Sequence, residues 1–172
     1  PHPFSAQRRQ QLLSVESIRM RVLAIDPGTT QSGWAMINGS TLSSGVMKNA
    51  DMRCLLQDYG DILCPTDRVA IEMIASYGMP VGKEVFETCV WIGRFCEAWK
   101  GESEPALIYR RDVKLHLCGS VRAKDANIRQ ALIDKLGPQG TKKEPGPTYG
   151  VKSHAWAALA VAVTFAETTG DR

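Results

Sequence analysis

The sequence predicts an α/β fold built on a mixed five-stranded sheet, a three-stranded meander extended by parallel strands, with helices on both faces. Three observations lead to it. The short apolar runs RVLAID (21–26), RVAIEMI (68–74) and ALIY (106–109) have the length and composition of buried strands. Asn38-Gly39 separates SGWAMIN (32–38) from TLSSGVM (41–47) at hairpin spacing. From residue 51 onward, segments whose apolar residues recur every three or four positions alternate with the later strands.

Taken in order, residues 1–19 are polar and begin without methionine, so they read as a flexible arm or an expression residue outside the fold. Residues 20–172 read as a single domain. RVLAID closes on Pro27-Gly28, a turn signal, and the hairpin follows. DMRCLLQDYGDIL (51–63) has the helical period, RVAIEMI returns to a buried strand, and GKEVFETCVWIGRFCEAWKG (82–101) is a long helix with Val85, Phe86, Cys89, Val90, Ile92 and Phe95 as core positions. After ALIY, RDVKLHLC (111–118) reads as a short basic helix and KDANIRQALIDKLG (124–137) as a helix stopped by Gly137-Pro138. A Gly/Pro/Lys loop (138–150) precedes a last helix with Ser153 as N-cap, and AWAALAVAVTFA behind it is apolar nearly all round, as expected of a helix packed on a sheet.

The chain has 172 residues, 44% of them hydrophobic and 23% charged, enough to bury a core and too balanced for disorder or a disulfide-stapled miniprotein. No apolar run reaches transmembrane length, and no membrane partner is expected. Cys54, Cys64, Cys89, Cys96 and Cys118 show no CxxC or zinc-finger spacing, which suits reduced thiols and a cytoplasmic setting, with neither a structural disulfide nor a structural zinc. The net charge of +3 hides a division. Residues 21–105 hold seven basic and eleven acidic side chains, net −4, whereas residues 106–152 hold ten basic and four acidic, net +6. Such asymmetry points to an anionic partner or to a solvated basic face.

Two carboxylates stand out. Asp26 ends the first strand, and Glu72 lies in the apolar frame VAIEMI. Buried carboxylates on neighbouring parallel strands repel unless a cation compensates them. A divalent ion with oxygen ligands, magnesium or manganese, does this. The plainer alternative has Asp26 capping its turn and Glu72 paired with an arginine. His154, just behind the basic segment, joins this pair only if the last helix starts beside Asp26; otherwise it is an ordinary surface histidine.

RVLAIDPGTTQSGWAMI, RVAIEMI, YRRDVKLHLCGSVRAKDANIRQAL and SHAWAALAVAV, in this order and at these separations, resemble the RuvC family of Holliday junction resolvases within the RNase H-like superfamily. IEMIASYGMPVGKEVFETCVWIGRF and GTKKEPGP resemble its phage-type members in particular. The likeness spans residues 21–168. It implies an RNase H-like sheet whose acidic side chains hold two divalent cations for hydrolysis of a phosphodiester. Asp26 matches the family's first-strand aspartate, Glu72 its fourth-strand glutamate, and His154 the position that carries aspartate or histidine. Three residues further on, where a second aspartate is usual, this chain has Ala157. Three explanations stay open: the phage-type branch manages with Asp26, Glu72 and His154; the alanine is an engineered inactivating change; or the protein binds junctions and cuts them poorly.

The resemblance also gives the basic segment a role. Lys114 and Lys124 fall at, or within one residue of, lysines that reach the scissile phosphate and stabilise developing charge. Arg110, Arg111, Arg122, Arg129, Lys142 and Lys143 would hold backbone phosphates. Tyr77 is the nearest aromatic to the ring that wedges into the opened crossover. Helix 83–100 corresponds to the family's dimerisation helix, and two-fold symmetry suits a four-armed junction. The implied setting is DNA recombination and repair in the cytoplasm of a bacterium or a phage-infected bacterial cell. Two rivals remain: a non-catalytic junction-binding protein of the same fold, and a nuclease acting on other branched substrates. A kinase built on the DPGTT loop would need two such domains and a longer chain.

Overall fold

The computed structural model describes residues 20–58 and 67–169. In chain order the elements are β1 (Val22–Asp26), β2 (Gln31–Asn38), β3 (Thr41–Lys48), α1 (Asn49–Asp58), β4 (Arg68–Met73), α2 (Lys83–Ala98), β5 (Ala106–Tyr109), α3 (Arg110–Cys118), α4 (Asp125–Leu136) and α5 (Ala155–Thr169). The strands form one sheet in the order β3-β2-β1-β4-β5. β1 runs antiparallel to β2 and parallel to β4, and β4 runs parallel to β5. This is the meander extended by parallel strands that the sequence predicts.

β1 is central and covered on both faces, which explains its unbroken apolar run. Successive side chains alternate between faces. Val22 and Ala24 join Ala35, Ile37 and Ala70 under α5, whereas Leu23 and Ile25 join Val69 and Ile71 under α1 and α2. The α5 face is built from small residues on both sides, with Ala24, Ala35 and Ala70 in one cluster with Ala155, Ala158 and Ala162. A stripe of alanines lets helix and sheet approach closely. α5 is apolar all round because α3 and α4 pack on its other side; Glu167 near its end accepts hydrogen bonds from Lys135 of α4 at 2.8 Å and pairs with His116 of α3 at 2.7 Å.

Several boundaries differ from the sequence expectation. α1 starts at Asn49, two residues early, because Asn49 is drawn into the loop after β1: its backbone N–H bonds Thr30 O and its side-chain amide bonds Gly28 O. The sequence extends that helix to residue 63; it is described as far as Asp58, and residues 59–66, Cys64 among them, lie outside the described residues together with the arm 1–19. Cys54, Cys89, Cys96 and Cys118 are unbonded, Cys54 on the surface. Ser153 does not cap α5. Its backbone is left-handed (φ 46°), and its carbonyl accepts the Trp156 N–H within the turn that brings residue 154 over the sheet. In α2, Ile92 and Phe95 are core as expected, but Phe86 and Val90 face outward, 61% and 52% exposed. They lie one helical turn apart on the side away from Thr88, Ile92 and Phe95. No helix among the described residues is long and apolar enough to cross a membrane.

Candidate active site

The register of the sheet brings the two carboxylates together. β1 and β4 pair Ala24 with Ala70 and Ile25 with Ile71, so the next pair in register is Asp26 with Glu72. Both share the face of Ala24 and Ala70, the face under α5. Adjacent strands lie about 4.8 Å apart, so two acidic side chains are held side by side at the carboxyl end of the sheet. Their side chains are only 16% and 14% exposed.

α5 brings the third group. Gly33 is the β2 partner of Asp26, and the backbone of His154 lies so close above it that a Cβ there would sit 2.4 Å from the His154 carbonyl oxygen. Glycine at 33 thus permits the turn before α5 to descend onto the sheet beside Asp26. His154 Nδ1 lies 3.0 Å from Asp26 Oδ2. Below the site, buried Asn49 ties down the Asp26-Pro27-Gly28 turn through its bond to Gly28 O and by accepting the Ser32 hydroxyl at 2.7 Å. Gly33→Ala is expected to cost about 1–3 kcal/mol through overpacking. Urea unfolding with an unchanged m-value would register this; a midpoint equal to that of the parent would show that the turn has room to spare.

Two further charged groups complete the site. β4–β5 pairing sets Glu72 beside Ile108 and Met73 beside Tyr109, so Arg110, the first residue of α3, falls just past Glu72 on the same face. Its Nη1 donates to Glu72 Oε2 at 3.3 Å and its Nη2 to Asp125 Oδ1 at 2.5 Å. Asp26, Glu72, Arg110, Asp125, Arg129, Ser153, His154, Trp156 and Ala157 line one cleft of ≈ 450 Å³.

Electrostatics mark this cleft as short of positive charge. Burial pushes the Glu72 carboxyl up to about 7 from its ordinary 4.5, and the neighbouring Asp26 charge adds to the rise. Burial also raises Asp26, although the His154 hydrogen bond works against it. Among the described residues no three His, Cys, Asp or Glu side chains are arranged to hold an ion as they stand; Glu72 is turned to Arg110, and Asp26 to His154. The donor chemistry nonetheless fits a hard dication: two confined carboxylates, each made costlier by burial, are what a magnesium or manganese ion stabilises.

The other expected site residues are spread more widely. Arg129 lines the cleft, with its guanidinium 4.9 Å from the Trp156 ring centroid and bonded to Gln139 Oε1 at 3.0 Å. Arg111, Arg122, Lys124, Lys142 and Lys143 are exposed and Lys114 is half-buried; none of them lines the cleft. Tyr77 is exposed with a left-handed backbone (φ 48°) in the loop between β4 and α2 and does not line the cleft. Asp125 and Trp156 escaped the sequence reading. Asp125 opens α4, where an acidic residue ordinarily complements the helix dipole. Trp156 sits in an apolar helical run and reads as core.

No family model and no curated protein matches this chain. Solved structures do. The RuvC structure of Thermus thermophilus superposes with a TM-score of 0.64 at 21% identity, covering 88% of this chain and 97% of that one. T. thermophilus RuvC in complex with a Holliday junction substrate superposes with a TM-score of 0.64 at 18% identity, covering 87% of this chain and 94% of that one. The likeness establishes a RuvC-type, RNase H-like fold over nearly the whole chain.

Proposed function

We propose that this protein is a structure-specific endodeoxyribonuclease that cuts Holliday junctions or related branched DNA by metal-dependent hydrolysis of a phosphodiester. One observation carries the reading: Asp26 and Glu72 are confined side by side, next to His154, in a cleft at the carboxyl end of a RuvC-type sheet. Asp26 and Glu72 would hold the cation, with His154 as a further donor. When bound, a magnesium or manganese ion supplies an activated water and Lewis-acid stabilisation of the phosphate. The chain's own contribution is placement. His154 Nδ1 lies 3.0 Å from Asp26 Oδ2, so the imidazole is held beside the carboxylate at which an ion would sit. Arg129, stacked on Trp156 and tied to Gln139, offers a preoriented guanidinium to a phosphate at the cleft rim.

Lys114, Lys124, Arg111, Arg122, Lys142 and Lys143 extend the basic surface along α3, the segment between α3 and α4, and the loop after α4, where they would hold backbone phosphates with little reading of sequence. Tyr77, exposed at its loop, is available to stack on an unpaired base. Phe86 and Val90, exposed on α2 beside Met79 and Val81, form the face through which two chains would pair. Phe86→Glu is expected to turn a dimer into a monomer in sedimentation velocity without lowering thermal stability. An unchanged sedimentation coefficient would place the interface elsewhere.

Labelled four-way junctions and linear duplexes, incubated with magnesium or with manganese, test the main reading. Paired cuts confined to the junction support it; a protein that binds the junction and never cuts in either metal supports a non-catalytic junction binder instead. Ala157 lines the cleft, so Ala157→Asp adds a carboxylate there. It should raise cleavage in magnesium if the site is short of ligands, and an equal rate would show that it is not.

A further inference from the structure

We propose that Arg129 and Trp156 form a seat for one unpaired nucleobase inside the cleft, so that the strand is held beside Asp26 and Glu72 at a nucleotide drawn out of its stack. This deepens the reading of the cleft as the place where branched DNA is cut, and rests on it.

Trp156 stands in the opening turn of α5, two residues after His154, and lines the cleft with it. It is half-buried in a helix whose side chains from Ala158 to Ala166 are all buried, and it packs against the core cluster that α5 shares with the sheet. The indole is therefore held in place from behind. Arg129 lies over it, with Cζ 4.9 Å from the ring centroid, and its Nη2 donates to Gln139 Oε1 at 3.0 Å. Gln139 is itself fixed, since its carbonyl accepts the Gly146 N–H at 2.8 Å. A ring on one side and an amide at the edge leave the other side of the flat guanidinium open, and Arg129 is exposed.

Arg110 and Arg129 both line the cleft, and their partners differ. Arg110 is bonded to the carboxylates of Glu72 and Asp125, whereas Arg129 is bonded to a neutral amide and covers a neutral ring. No carboxylate neutralises its charge there, and that charge draws the DNA strand in. A phosphate alone needs no ring behind the cation, because a lysine serves it as a compact point charge. A flat cation backed by an indole is a surface on which a base stacks. Bases inside a duplex are covered on both faces, so a recessed platform takes only one that has left its pair. The cleft, at ≈ 450 Å³, has the size of a small-ligand pocket. Arg129 thus touches the base, and Trp156 and Gln139 are positioning residues that hold Arg129 to it.

Four-way junctions that carry, beside the crossover, either an unpaired thymine or an abasic site at the same position differ only in the base. Their affinities for the full chain, measured by fluorescence anisotropy in a metal chelator with the position moved along each strand, test the seat. At one position the parent should bind the thymine junction about tenfold more tightly than the abasic one. Arg129→Lys, which keeps the charge and loses the plane, should bind the two equally, and so should Trp156→Ala. If Trp156→Ala does not fold, as judged by circular dichroism, Arg129→Lys, at an exposed position, decides. Equal affinity of the parent for both junctions at every position overturns the proposal, as does a preference that survives in Arg129→Lys or in a folded Trp156→Ala. Cleavage of the same junctions in magnesium or manganese is read separately. A preference for thymine without cutting in either metal upholds the seat and overturns the nuclease, cutting without the preference does the reverse, and a parent that binds none of the junctions overturns both.

Discussion

Asp26→Asn is expected to lower junction cleavage about a thousandfold while leaving junction affinity unchanged or slightly higher. The size follows from what a metal-activated water contributes, several kcal/mol at about 1.4 kcal/mol per decade of rate. Asn has nearly the shape of Asp, so the β1 terminus and the turn tied by Asn49 should persist. Replacing a carboxylate that burial makes costly leaves the fold as stable or more so. Affinity should hold because most of the basic residues lie outside the cleft and because removing a negative charge eases the approach of phosphate. Electrophoretic mobility shift and single-turnover cleavage on the same junction check both parts. Cleavage within tenfold of the parent would remove Asp26 from the chemistry.

The second large effect concerns pH. The Glu72 carboxyl is raised from 4.5 to about 7 in the folded chain, so the folded state keeps a proton that the unfolded chain gives up. Its stabilising contribution is fully present below pH 4.5, declines as pH rises, and is lost once pH passes about 7. The loss is on the order of 3 kcal/mol. Asp26, also raised, acts in the same sense. In a metal chelator, urea unfolding should therefore show stability falling across this window, and Glu72→Gln should flatten most of the fall and be the more stable protein at its alkaline end. Manganese in place of chelator should restore the parent there, because the ion favours the charged carboxylate. Parallel curves for the parent and Glu72→Gln would mean that Glu72 titrates as an ordinary carboxyl.

What the sequence made legible follows from which signals are local. Asp26 and Glu72 could be found because each interrupts or ends an apolar strand, a place where a charge needs a reason. That they face each other depends on the β1–β4 register, which a parallel fold supplies once both runs are read as buried strands. His154 was a candidate from its place at the last helix and gained weight through resemblance; what seats it is Gly33, whose missing side chain carries no signal until the helix is seen lying over it. Arg110 was read as a phosphate contact among many basic residues, and its attachment to Glu72 emerges from the β4–β5 register. Asp125 was hidden by its ordinary place at a helix start. Phe86 and Val90 were read as core because periodicity finds apolar positions without saying which stripe faces inward, and α2 has two.

The alanines beneath α5 set a spacing as well as fill a space. Ala24, Ala35 and Ala70 on the sheet and Ala158 and Ala162 on the helix act as a gauge whose thickness is one methyl group on either side. His154 stands at the end of the helix so gauged, and Asp26 at the end of the strand beneath it. A methylene added at Ala35 would lift the whole rod and be read at its tip as a longer reach from imidazole to carboxylate. The tolerance of the site to change is thus decided beneath the helix, among residues that carry no charge and do not line the cleft.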